Sequence, residues 1–257
     1  MPAGIDHLLP HILAFALVVA RLSGLFIFGP LVSSIVIPMR LKAILILAMS
    51  AAIYPVAPAA PASIDLSILA PAMVIEVGIG LVIGILAAIP LLALEMSGVL
   101  IGQQMGFGLA KVFNPEVDFD TDLIGQLLFY IAAGAFLALG GIETMFGCVV
   151  ETFHRVPLGG FDAARTPLEP LVGLVASGFE LAWRVAAPVT ATILLMVVAL
   201  GVIGKTMPQI NIMTVGFTMK ILAGLAMLAA SVYAAQGAVW DYVAVSLRSV
   251  MHWAAGP

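Results

Sequence analysis

The sequence predicts an all-α, polytopic integral membrane protein of about six long helices, some of them broken or folded back as re-entrant hairpins. Three observations carry that prediction. Of 257 residues, 63% are hydrophobic and 9% charged, with a mean hydropathy of +1.19, far more apolar sequence than a water-wetted surface tolerates. Apolar stretches near residues 12–29, 41–57, 66–94, 123–150, 171–204 and 212–247 mostly reach the roughly 20 residues that cross a hydrocarbon core. Short knots bearing Pro, Gly and polar residues separate them. Residues 1–257 therefore read as one membrane domain with no soluble domain.

The elements follow in order. The first apolar run comes after Asp6 and His7 without a basic leader and carries Arg21 in its middle, so it is expected to remain as a membrane helix and not to be cleaved as a signal peptide. The run 41–57 is the shortest. Those at 66–94 and 171–204 exceed one pass, and tilting, protrusion or kinking at Pro90 and Pro188 is expected to absorb the excess. Gly80 with Gly84, and Gly98 with Gly102 and Gly106, recur every four residues. That spacing puts small residues on one helix face and predicts a close protein neighbour there, although glycine is common in membrane helices generally.

Charges inside the apolar runs are few. Arg21, Glu76, Glu180, Arg184 and Lys220 each fall within a helix where a lone charge costs several kcal/mol, so each should face a partner or a water-filled space. Glu180 and Arg184 are four apart and are expected to form their own ion pair. Arg21, Glu76 and Lys220 have no partner nearby in sequence. They are candidates for contacts to other helices or other subunits, with a proton relay as the alternative.

Composition also excludes function classes. The single cysteine, Cys148, rules out an internal disulfide and a cysteine-based metal cluster, and four scattered histidines give metal chemistry no support. A net charge of -4 without a basic run leaves no footprint for nucleic acid. No paired nucleophile and base stands out, no phosphate-binding Gly-x-x-x-x-Gly-Lys loop is present, and neither catalytic residues nor a cofactor is expected. Basic residues give no consistent orientation. Arg40 and Lys42 lie in the first connection, but Arg155 and Arg165 lie in a later one that alternation would place on the opposite side.

Two polar segments interrupt the apolar pattern. From Glu95 to Asp122 the chain carries Phe107, Phe113 and Phe119 among glycines and ends in Asp118, Asp120 and Asp122. The alternate acids lack the glycine and distal glutamate of an EF-hand, and Asp122 fits better as a helix cap. The second segment is Lys205-Thr206-Met207-Pro208-Gln209-Ile210-Asn211. Pro208 breaks the helix, and the Gln209 and Asn211 amides can satisfy the freed backbone, as in a re-entrant turn buried in protein. A plain loop between two spans also fits.

The words of the chain also carry a resemblance. Arg21-x-Ser23-Gly24 followed by Pro30 and Pro38; Gly102-Gln103-Gln104-Met105-Gly106 followed by Asn114-Pro115; Phe153 followed by Val156-Pro157-Leu158-Gly159; and Pro188, Leu200-Gly201-Val202-Ile203, Pro208-Gln209-x-Asn211, Val215-Gly216-Phe217 and Lys220-Ile221 together resemble the FliR family. Members of that family are subunits of the export gate of flagellar type III secretion. The matches run in order over nearly the whole chain, with departures at Thr218, where Pro is expected, and at Glu143, where His is common. The resemblance implies a non-enzymatic subunit of a helical multi-subunit export gate in the bacterial inner membrane, at the flagellar basal body. It implies FliP-like and FliQ-like membrane partners, and unfolded flagellar proteins as cargo. It further implies that the segment after Gly106 projects into the channel as a plug, with Phe107, Leu109, Val112 and Phe113 as its bulky groups. A virulence-type export gate and a small secondary transporter are the alternatives, though the two halves lack the mirrored broken helices that transporter repeats predict.

Overall fold

In apolar surroundings every backbone N–H and C=O must bond within its own segment, and helices satisfy that requirement at any length. The computed structural model describes residues 5–56, 66–107, 123–159, 169–207 and 212–255, and every regular element among them is an α-helix. These are α1 (Ile5–Phe28), α2 (Met39–Ile53), α3 (Leu66–Met105), α4 (Leu123–Ala138), α5 (Gly141–Arg155), α6 (Glu169–Thr206) and α7 (Ile212–Ala255).

Four helical stretches are long and apolar enough to cross a membrane: Leu8–Phe28, Leu69–Met105, Val172–Thr206 and Thr214–Trp253. Helices α4 and α5 make a fifth only as a broken pair. The count departs from six passes for two reasons. The expected run 123–150 is interrupted at Gly140, whose left-handed backbone (φ 70°) ends α4 and opens α5. The Gly140 N–H donates to the Leu137 carbonyl (3.1 Å), and the Gly140 carbonyl accepts from both the N–H and the hydroxyl of Thr144 (2.9 Å each). The run 41–57 yields α2, whose 15 residues reach about 22 Å, short of a hydrocarbon core of about 30 Å. Helix α3 continues unbroken through Pro90, and α6 through Pro188.

The chain clusters into two compact units, each discontinuous in sequence: Met1–Ile89 with Phe136–Leu174 and Ala244–Pro257, and Pro90–Ala135 with Val175–Val243. In the first unit α1 lies against the early part of α3 at backbone contact. A Cβ on Gly80 would stand 1.8 Å from the Arg21 carbonyl oxygen, and one on Gly24 would stand 2.0 Å from that of Val77. Leu17, Leu22, Leu25, Ile83 and Leu86 fill the core around this crossing. Helix α2 leans on α1 through a Phe15–Tyr54 edge contact (5.9 Å) and a 2.8 Å hydrogen bond between His11 Nδ1 and the Tyr54 hydroxyl.

In the second unit Gly98 of α3 meets Gly125 of α4, where a Cβ would stand 2.5 Å from the partner's Cα. The Ser231 hydroxyl of α7 donates to the Val185 carbonyl of α6 (2.8 Å). The glycine faces at Gly80, Gly84 and Gly98 are thus occupied by helices of the same chain, since Gly84 likewise sits against Gly29. Burial differs sharply between helices. Within their most apolar windows α1 and α3 bury 56% and 67% of residues inside the chain, whereas α6 and α7 bury only 17% and 22%. The faces of α6 and α7 therefore need cover from outside this polypeptide.

Candidate functional site

Arg21 sits in the middle of α1 and is fully buried, as is Glu76 on α3. The tight α1–α3 crossing allows this, because Gly24 and Gly80 bring the backbones close enough for the two side chains to meet. Arg21 Nε donates to Glu76 Oε2 at 2.5 Å. Its Nη1 donates to Thr152 Oγ1 on α5 (3.1 Å), and its Nη2 donates to the Val156 carbonyl just beyond α5 (3.1 Å). The guanidinium carbon lies 4.1 Å from the centroid of the Phe153 ring. Glu76 Oε1 accepts the Gly159 N–H (3.0 Å), and the Thr152 hydroxyl donates to the Val149 carbonyl (2.7 Å). Every guanidinium nitrogen and both carboxylate oxygens are engaged.

The cluster is neutral overall, which is what permits it to be buried at all. A desolvated ion pair survives only when its remaining polar atoms are satisfied, and a guanidinium fork matched to a carboxylate, a hydroxyl and a carbonyl meets that condition. Phe153 adds a cation–π contact on the guanidinium face. The cluster therefore holds position. It clasps α1, α3 and the end of α5, and it fixes the turn Val156–Gly159, where Gly159 adopts a left-handed φ of 74°.

Sequence alone leaves Arg21 and Glu76 without partners; the structure supplies each with the other, an inter-helix contact inside one chain. Thr152 and the Gly159 N–H were not anticipated. The only sequence signal for them is their place within and beside the Phe153 to Gly159 string, and Glu76 lies outside every motif. Glu180 and Arg184 form their own exposed pair on α6 (2.7 Å). Lys220 is half-buried on α7 and joins none of these groups.

Helix α3 ends in a left-handed glycine cap. Gly106 (φ 91°) donates to the Gln103 carbonyl, and Phe107 donates to the Gly102 carbonyl, each at 3.1 Å, which closes the last carbonyls of the helix. Gly106 thus ends a helix inside the polar segment from Glu95 to Asp122. Phe107 is half-buried immediately after this cap. Leu109, Val112 and Phe113 lie outside the described residues, as do Pro208, Gln209 and Asn211 of the polar turn.

Fold and site together define a multi-pass, all-α membrane protein whose first unit is bolted by a buried charge cluster. Residues 12–244 match the family described as bacterial export proteins, family 1, and the chain belongs to that family. It is 29% identical over 159 residues to the flagellar biosynthetic protein FliR of Bacillus subtilis (strain 168), covering 60% of each chain. Against FliR of Escherichia coli (strain K12) it is 25% identical over 210 residues, 82% of this chain and 80% of that one. The surface presentation of antigens protein SpaR of Salmonella typhimurium is 27% identical over 226 residues, 87% of this chain and 84% of its own. The four sequence motifs that pointed to the FliR family all overlap the matched region, and two of them, Arg21-x-Ser23-Gly24 and Phe153 to Gly159, converge on the one clasp.

Proposed function

We propose that this chain is a subunit of a flagellar type III protein export gate, helping to line and close the channel through which unfolded flagellar proteins cross the inner membrane. The observation that carries the reading is the family match across residues 12–244, together with relatives named flagellar biosynthetic protein FliR. The exposed apolar faces of α6 and α7 support it, because a subunit built for an assembly leaves such faces for its neighbours. The partners in this reading are FliP-like and FliQ-like membrane subunits.

The subunit performs no catalysis in this account. Its work is mechanical and dielectric: a constriction of apolar side chains dewets and blocks ions when idle, then yields to a passing polypeptide. The segment opening at the Gly106 cap supplies that constriction through Phe107, Leu109, Val112 and Phe113. Pro208, Gln209 and Asn211 form the polar turn, and Lys220 and the Glu180–Arg184 pair are contact points to neighbouring subunits.

A second reading, a virulence-type secretion gate, is favoured by the SpaR likeness and by a 28% identity over 163 residues to the secretion system apparatus protein SsaT of the same Salmonella. Complementation separates the two. Expressed with its own partner subunits in cells lacking FliR, the chain is expected to restore swimming; in cells lacking SpaR it is expected not to restore effector secretion. The reverse pattern would move the assignment to the virulence gate.

A further inference from the structure

Between Asp6 and Asp65 the chain contains no acidic residue, and beyond α1 its only charges there are Arg40 and Lys42. Both cations open α2, directly after the turn Gly29–Pro38. That turn ends in a fully solvent-facing apolar tip: Ile35 is 100% exposed, Val36 89% and Met39 79%. Its backbone is closed on itself except at the tip, where the Ile35 N–H has no partner among the described residues. The N–H groups of Val32, Ser33, Ser34 and Ile37 donate to carbonyls within the turn, Val36 N–H donates to the Ser34 hydroxyl, and Lys42 Nζ caps the Ser33 carbonyl at 2.8 Å. Leu31 holds the reversal with a left-handed φ of 67°.

An exposed apolar tip beside two cations, with no acidic residue near it in sequence, is suited to the boundary between hydrocarbon and anionic headgroups. Helix α2 points the same way. Its exposed residues Met39, Leu41, Ile44 and Leu47 spread over about 200° of the circumference at about 100° per residue, and the buried Ile53 and Ser50 mark the remaining side and its edge. A groove in a partner protein would call for a narrow apolar stripe, whereas lipid covers the whole of an outward face. At 15 residues α2 is too short to cross. Arg40 is exposed and pairs with no group among the described residues, so its charge is available to an anion at the edge of the apolar tip.

We propose that the Gly29–Pro38 turn and α2 form a lipid-embedded anchor, which sinks Ile35, Val36 and Met39 below the headgroups of one leaflet and places Arg40 on anionic lipid phosphates. Bound in this way, the first unit gains a contact with the bilayer surface outside its long helices. A basic residue near a membrane surface gains about 1 kcal/mol from anionic lipid, equivalent to about a five-fold change in the ratio of inserted to exposed tip.

The test uses the full chain, reconstituted together with its partner subunits, in proteoliposomes of phosphatidylcholine, with or without phosphatidylglycerol. A fluorophore is attached at Ile35→Cys, and separately at Val36→Cys, in a Cys148→Ser background. The expected result is quenching by lipid-borne spin labels and protection from aqueous iodide, both strengthened by phosphatidylglycerol. Arg40→Gln is expected to lower the ratio of inserted to exposed tip about five-fold in the anionic vesicles and to change it little in neutral ones. Quenching by iodide in both vesicle types overturns the proposal by placing the tip in water. Protection from both quenchers overturns it by placing the tip under protein. Lipid quenching that ignores phosphatidylglycerol and Arg40→Gln overturns the headgroup contact.

Discussion

Arg21 and Glu76, 55 residues apart on two helices, meet as a fully buried pair with 2.5 Å between Nε and Oε2. The contact joins the Arg21-x-Ser23-Gly24 motif to the Phe153–Gly159 motif through Thr152, Val156 and Gly159, so that two of the chain's family signatures are one structural device.

Breaking the pair from one side leaves an uncompensated buried charge. Arg21→Met alone, or Glu76→Leu alone, is expected to cost about 3–5 kcal/mol, while the double substitution recovers much of that loss. Denaturant unfolding of the three variants in detergent measures it. A double variant as unstable as the sum of the singles would show that the cluster acts as separate contacts and not as an ion pair.

The α1–α3 crossing depends on hydrogen in place of a methyl group. Gly80→Ala and Gly24→Ala would set a Cβ against carbonyl oxygens at 1.8 and 2.0 Å, forcing the helices apart and stretching the clasp. Each is expected to cost about 1–3 kcal/mol. Gly78→Ala is the control, since no atom lies within 4 Å of its added Cβ, and it is expected to be neutral or slightly stabilising through helix propensity. Equal melting temperatures for all three variants would contradict the close crossing.

Much of this was legible in the sequence. Charges stranded in apolar runs announced that Arg21 and Glu76 need partners, because hydrocarbon does not solvate them. Their mutual identity was not legible, since no local spacing links residues on different helices. Glycine spacing flagged a close neighbour at Gly80 and Gly84 without saying that α1 is that neighbour. The break at Gly140 was hidden because hydropathy runs unbroken across 123–150, and only a left-handed glycine stops the helix. The short α2 was hidden for a related reason: an apolar run does not reveal where its helix ends.

The channel-closing role proposed for the segment after Gly106 has its own signature. Changing Phe107 and Phe113 together to Ala removes bulk from the constriction, so ion leak through the idle assembly should rise before export falls. Conductance of the purified assembly in liposomes, normalised to complex recovered, is the measurement. Unchanged conductance with a lower yield would make the segment a packing loop and leave the family membership untouched.

The central claim is that this chain is one part of a larger gate, and its exposed α6 and α7 faces demand neighbours. Native mass measurement of the detergent-extracted protein, with and without co-expressed FliP-like and FliQ-like subunits, tests it most directly. The expected result is a polydisperse or poorly recovered chain alone, and one discrete assembly containing all three subunits when they are made together. A monodisperse monomer that ignores both partners would contradict it.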